Sequence, residues 1–160
     1  MASDFSSEPK IREIALPKRS KPSKLAEILG AEEALGSILF VLFIPSKTRL
    51  GEALPAGEDQ SMWANAAGDV LAELFNGATE MPPAKGKWRN DEDDIITEDV
   101  TLVHSYATPE ASEDEAKLRK LAKFLHRMGK NTDPGEIGIV IDNVFHKIRK
   151  FPLANVESPK

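Results

Sequence analysis

The sequence predicts one α+β domain: an antiparallel sheet of about four strands with two helices on one face. Three observations carry this. Ile38–Ile44 is apolar at every position, as in a strand buried on both faces. Two segments, around Met62–Phe75 and Leu118–Met128, repeat apolar residues at helical spacing. Two others, Ile95–Ala107 and Ile137–Asp142, alternate with a period of two. A chain of 160 residues holds one domain with a core but not two ordinary ones, and 41% hydrophobic with 29% charged residues is a globular balance.

The elements follow in order. Residues 1–22 contain Pro9, Pro17 and Pro22 and a Lys18-Arg19-Ser20-Lys21 run, so they read as an irregular basic arm. Residues 23–37 read as a short N-terminal helix. Ser23 caps it, Leu25, Ile28, Leu29 and Leu35 give it an apolar side, and it ends near Gly36. The domain proper spans 38–148. Pro45 closes the first strand, and Ser46–Glu58 is a loop with Gly51, Pro55 and Gly57. Asp59 is the expected N-cap of a helix carrying Met62, Trp63, Ala66, Ala67, Val70, Leu71, Leu74 and Phe75. Asn76-Gly77 stops it, with Gly expected in the left-handed position.

An extended segment from Ala78 is broken by Pro82-Pro83 and resumes at Gly86-Lys87-Trp88-Arg89, which suits a sheet edge. The acidic turn Asn90–Asp94 leads into the long strand Ile95–Ala107. There Ile96, Glu98, Val100, Leu102, His104 and Tyr106 share one face. Ser112-Glu113-Asp114-Glu115 has the form of a capping box for the second helix, whose stripe is Leu118, Leu121, Ala122, Leu125 and Met128. Ile137, Ile139 and Ile141 mark the last strand. Val144, Phe145 and Ile148 then suggest a short helix, and 149–160 a flexible tail.

Strand, helix, strand, strand, helix, strand in this order predicts a ferredoxin-like βαββαβ sandwich with an extra N-terminal helix and arm. Its first and third strands would be central. Because the helices cover one face, Leu39, Val41 and Phe43 need cover on the other, from a second copy or from the N-terminal helix. Over about Ile38–His146 the chain also resembles an uncharacterised family of small bacterial proteins, a domain of unknown function. The residues that carry this are Asn76-Gly77-Ala78-Thr79, Gly86-Lys87-Trp88-Arg89 and Glu98. The resemblance implies a ferredoxin-like fold and brings no substrate.

Composition excludes several functions. With no cysteine there is no disulfide framework, thiolate metal site or thiol nucleophile, and a reducing compartment, the cytoplasm, is expected. The longest apolar run has seven residues, too few to span a bilayer. Charge is uneven. Met1–Lys24 has six Lys/Arg against three Asp/Glu, Lys147–Lys160 has four against one, and Leu25–His146 has eleven against 22. An acidic body argues against a nucleic-acid surface, except at the basic termini. The Asn90–Asp94 turn lacks the ligand spacing of a calcium loop, and no glycine-rich turn opens a helix for phosphate.

Trp88-Arg89 beside Glu98 is the leading constellation. Across a hairpin Arg89 can pair with Glu98, or hold an anion while Trp88 stacks. His104, on the Glu98 face, is either a core histidine or a proton acceptor. His126 reads as surface. His146 near Asp142 has no recognisable metal-ligand spacing, so neither metal nor cofactor is expected. With no catalytic motif, the sequence favours a non-enzymatic interaction module. It would dimerise or engage a protein partner through its sheet face or N-terminal helix. The alternative is a ligand-binding protein or small enzyme with a pocket at the sheet. There Arg89 and Trp88 would bind, and Glu98 or His104 would accept a proton.

Overall fold

The computed structural model describes residues 24–32, 34 and 36–155. The basic arm expected at 1–22 lies outside the described residues, as do the last five residues. The chain divides into two units, Met1–Glu33 and Ala34–Lys160. In the first, helix α1 (Lys24–Leu29) ends at Gly30, whose φ is +62°, and Ala31 N–H donates to the Ala26 carbonyl at 2.8 Å. Such a left-handed glycine with a bond reaching back one turn is a common helix terminator.

The second unit is α+β with an antiparallel sheet. Strand β1 (Ile38–Ile44) lies between β4 (Ile95–Ala107) and β5 (Ile137–Ile141), so its uniformly apolar sequence serves a central position. The order is β2-β4-β1-β5-β6, where β2 is Thr79–Glu80 and β6 is Val144–Ile148. Strand β3 (Ala84–Arg89) pairs with β4 beyond the Pro82-Pro83 break. All pairings are antiparallel.

Helices α2 (Gln60–Phe75) and α4 (Glu115–Thr132) pack on one face of the sheet. Trp63, Ala64, Ala67, Leu71 and Leu74 meet Leu121, Phe124, Leu125 and Met128 over Phe40, Leu42, Ile44, Val103, Ile137 and Ile139. Met62, expected on the inner stripe of α2, is exposed, and Ala64 is inside in its place. Gln60 ties the start of α2 to the sheet where β1 leaves β4. Its amide nitrogen donates to the carbonyls of Ile44 at 2.9 Å and Asp99 at 2.8 Å.

Three local expectations change. Asp59 does cap α2, accepting from Ser61 N–H at 2.7 Å, but Asn76 rather than Gly77 takes the left-handed position, at φ 68°. A short helix, α3 (Pro109–Glu113), capped by Thr108, occupies the start expected for the long one. The capping box therefore does not form. Asp114 caps α4 through Lys117 N–H at 3.1 Å, while the Ser112 hydroxyl donates to the Pro109 carbonyl. The helix expected around Val144–Ile148 is strand β6. Asp142 and Asn143 both have positive φ, 48° and 66°, and make the two-residue turn whose twist suits a hairpin. A 3₁₀ turn at Pro152–Asn155 follows β6. Among the described residues no helix is long and apolar enough to cross a membrane.

Candidate functional site

The face of the sheet away from the helices carries Leu39, Val41 and Phe43 from β1. In register beside them lie Tyr106, His104 and Leu102 of β4, and Val140 of β5 stands across from Val41. At the end of this face where β1 stops is an open cleft of about 230 Å³. Its walls include Phe43 and Pro45, Gly86 and Trp88 of β3, Glu98 and Val100 of β4, Gly138 of β5 and Phe145 of β6. Strands β3 and β6 lie on opposite sides of the strand order, yet both reach this cleft. The sheet therefore curls about it, as accumulated strand twist allows.

Two glycines keep the cleft open. A Cβ at Gly138 would come within 2.9 Å of the Phe145 ring, so only glycine lets that ring lie over β5. Phe145 then meets Phe43 edge to face, ring centres 5.6 Å apart. Gly86 stands across from Glu98 in the β3–β4 ladder, and a Cβ there would approach Val100 at 3.3 Å.

Trp88 is in register with Ile96, one diagonal step from Glu98 on the same face. Its indole Nε1–H donates to Glu98 Oε1 at 2.8 Å, and Ser46 N–H donates to Oε2 at 3.0 Å. Both carboxylate oxygens are thus held by neutral donors. Among the described residues Glu98 makes no salt bridge. The second acid at the cleft, Glu136, is different: Lys147 and Arg149 reach it at 2.9 and 3.2 Å.

Of the four candidates, Trp88 and Glu98 come together and the other two do not join them. Arg89 lies across from Ile95 on the opposite face and pairs with Asp93 at 2.8 Å, inside its own hairpin turn. His104 shares the Glu98 face but lies six residues further along β4, across from Val41, edge-on to Tyr106 with ring centres 6.2 Å apart. His126 is not free surface. Its Nδ1 accepts from Leu153 N–H at 3.1 Å, its ring lies near Phe151, and burial holds its pKa below the ordinary imidazole value. His146 is across from Ile139 and exposed, and among the described residues no cluster of His, Asp and Glu has the makings of a metal site. Sequence reasoning missed Phe43, Gly138 and Phe145 as site residues. The Asp142-Asn143 pair between two alternating runs was the available signal, since it puts Phe145 on the Val140 side of a hairpin.

No family model matches this chain, and no curated protein does. Two solved structures are similar in fold. One is a phage SAM lyase in complex with S-methyl-5'-thioadenosine, with a TM-score of 0.54 at 9% identity over 74% of this chain and 93% of that one. The other is a phage SAM lyase in the apo state, with a TM-score of 0.49 and the same identity and coverage. At 9% identity the likeness is one of fold alone.

Proposed function

We propose that this is a small-molecule-binding protein of ferredoxin-like fold, which holds its ligand in the cleft on the uncovered sheet face. The strand order β2-β4-β1-β5, with β6 added at the edge and α1 as an N-terminal addition, supports the ferredoxin-like reading. One observation carries the functional reading. Trp88 and Glu98, hydrogen-bonded to each other, stand in a concave, largely apolar cleft that β3 and β6 close from opposite sides. Apolar walls with a few fixed polar groups are the usual make-up of a ligand site. A volume of 230 Å³ lies just below the usual range of about 300–1,000 Å³, which favours a small ligand or one end of a larger one. Of the two acids at the cleft, Glu98 is the one without a salt bridge among the described residues, so any catalysis there would begin with its carboxylate.

The test is an NMR titration of the full chain with a panel of small fragments. S-methyl-5'-thioadenosine belongs in it as the molecule named with the phage SAM lyase. Binders are expected to shift the Trp88 indole N–H signal, assigned by its loss in Trp88→Phe. A panel whose binders all leave that signal in place would sink the reading.

The interaction-module reading keeps separate support at the other end of the same face. Tyr106 is 56% exposed there beside half-buried Leu39 and Val41. Five strands at ~4.8 Å spacing, contributing two (β2), seven (β4), seven (β1), five (β5) and five (β6) residues at ~3.4 Å each, give roughly 400 Å² per copy. A face-to-face pair would bury about 800 Å², so a specific dimer would draw on surface beyond the sheet as well. The occupant in this reading is a second copy, with α1, whose Ile28 and Leu29 are exposed, as a further partner surface. Sedimentation of the full chain at micromolar concentration should then give a dimer that Val41→Glu dissociates, and a monomer at every concentration would end it.

A further inference from the structure

We infer that the cleft is built for a small organic cation whose charged group carries no hydrogen-bond donor, of the quaternary ammonium type. This rests on the ligand-binding reading of the same site. The walls carry three aromatic rings, Phe43, Trp88 and Phe145, and the negative face of each ring attracts a cation. Of the two carboxylates at the walls, Glu136 is paired with Lys147 and Arg149, and Glu98 is the one with no salt bridge among the described residues. Its oxygens are oriented by Trp88 Nε1–H and Ser46 N–H, donors that hold the anion in place without neutralising it.

The nearby cationic side chains in ion pairs are held by acids other than Glu98. Lys85 pairs with Asp99 and Arg89 with Asp93 on the far face of the hairpin, and Lys147 and Arg149 serve Glu136. Lys87, between Gly86 and Trp88, is itself among the residues lining the cleft, and strand alternation directs its side chain toward the far face.

The kind of cation follows from the same bonds. A guanidinium or primary ammonium binds a carboxylate best through its N–H groups, and the indole and the amide already take two of the roughly four lone-pair sites of Glu98. A quaternary ammonium asks for no such bond. It needs only proximity to the charge and contact with the rings. An anion would be repelled by Glu98, and a neutral ligand would leave that charge unbalanced.

Choline and its uncharged carbon isostere, 3,3-dimethylbutan-1-ol, form a pair of nearly equal shape that isolates the charge. Each is titrated into the full chain while the Trp88 indole N–H signal is followed. Choline is expected to shift it saturably and to bind at least about tenfold more tightly than the alcohol. Glu98→Gln should bring choline down to the affinity of the alcohol. Equal affinities in the native chain would overturn the cation assignment and leave the cleft a neutral-ligand site. No shift with either probe would also overturn it, and the fragment panel then decides separately whether the cleft binds ligands at all. If Glu98→Gln loosens the fold, the comparison of the two probes on the native protein still stands.

Discussion

His126 is the residue whose protonation state the fold selects most clearly. Burial lowers its pKa, and its Nδ1 must stay unprotonated to accept from Leu153 N–H. With the folded pKa below the ordinary value of about 6.5, the unfolded chain binds the extra proton first as pH falls. The stabilising contribution is therefore complete above pH ~6.5 and is lost as pH drops through the lowered folded value. Melting temperature should fall between pH 7.5 and pH 5, and His126→Gln, whose amide oxygen can still accept from Leu153, should flatten that part of the curve. Equal pH slopes for native and variant protein, followed by circular dichroism, would remove His126 from the account. No local pattern around His126 signals this role, because the partner lies 27 residues away in a turn that packing alone brings back. The nearness of Trp88 to Glu98 was more legible, since a hairpin with a short acidic turn brings these strands together, but the partner expected for Glu98 was Arg89, which strand alternation puts on the opposite face.

At the scale of elements, α4 owes its packing to a residue with no side chain. Gly129 is buried, and a methyl group there would overlap the Phe151 ring of the following segment. Gly129→Ala should therefore cost about 1–3 kcal/mol through overpacking, although alanine is the better helix former. In a Phe151→Ala background the ring is gone and helix propensity remains. There the same change should stabilise by up to ~1 kcal/mol, so that urea denaturation reads a reversal of sign. The same sign in both backgrounds would mean that the ring does not select glycine. Element boundaries were readable where one strong pattern acts alone: Ile38–Ile44 and Ile95–Ala107 both run as the sequence implies. They were misread where two local options compete. Ser112 and Asp114 are both good caps, and Thr108-Pro109 starting its own turn decides between them. Val144–Ile148 is too short for periodicity to separate strand from helix, and the left-handed Asp142-Asn143 turn made it a strand.

For the whole molecule, sheet curl is the property no local pattern encodes. It joins Trp88 to Phe145 across the full width of the sheet, and so makes a cleft of side chains distant in sequence. Among the described residues the core beneath is self-contained: every buried hydrophobic side chain, from Phe40 to Ile139, and the partly buried ones around them lie in the unit Ala34–Lys160. A chain of residues 34–160 should therefore fold by itself, with a mixed helix–strand spectrum and one cooperative melting transition. Leu42→Ala, at the centre of the helix-covered face, should cost about 2–5 kcal/mol in that shortened chain. Circular dichroism and denaturant titration of both shortened proteins check this together. A shortened chain without a cooperative transition would show that residues 1–33 complete the core. If it folds, its sedimentation beside the full chain decides what covers Leu39, Val41 and Phe43. A dimer kept without residues 1–33 assigns the cover to the second sheet, whereas a dimer lost with them assigns self-association to the N-terminal unit.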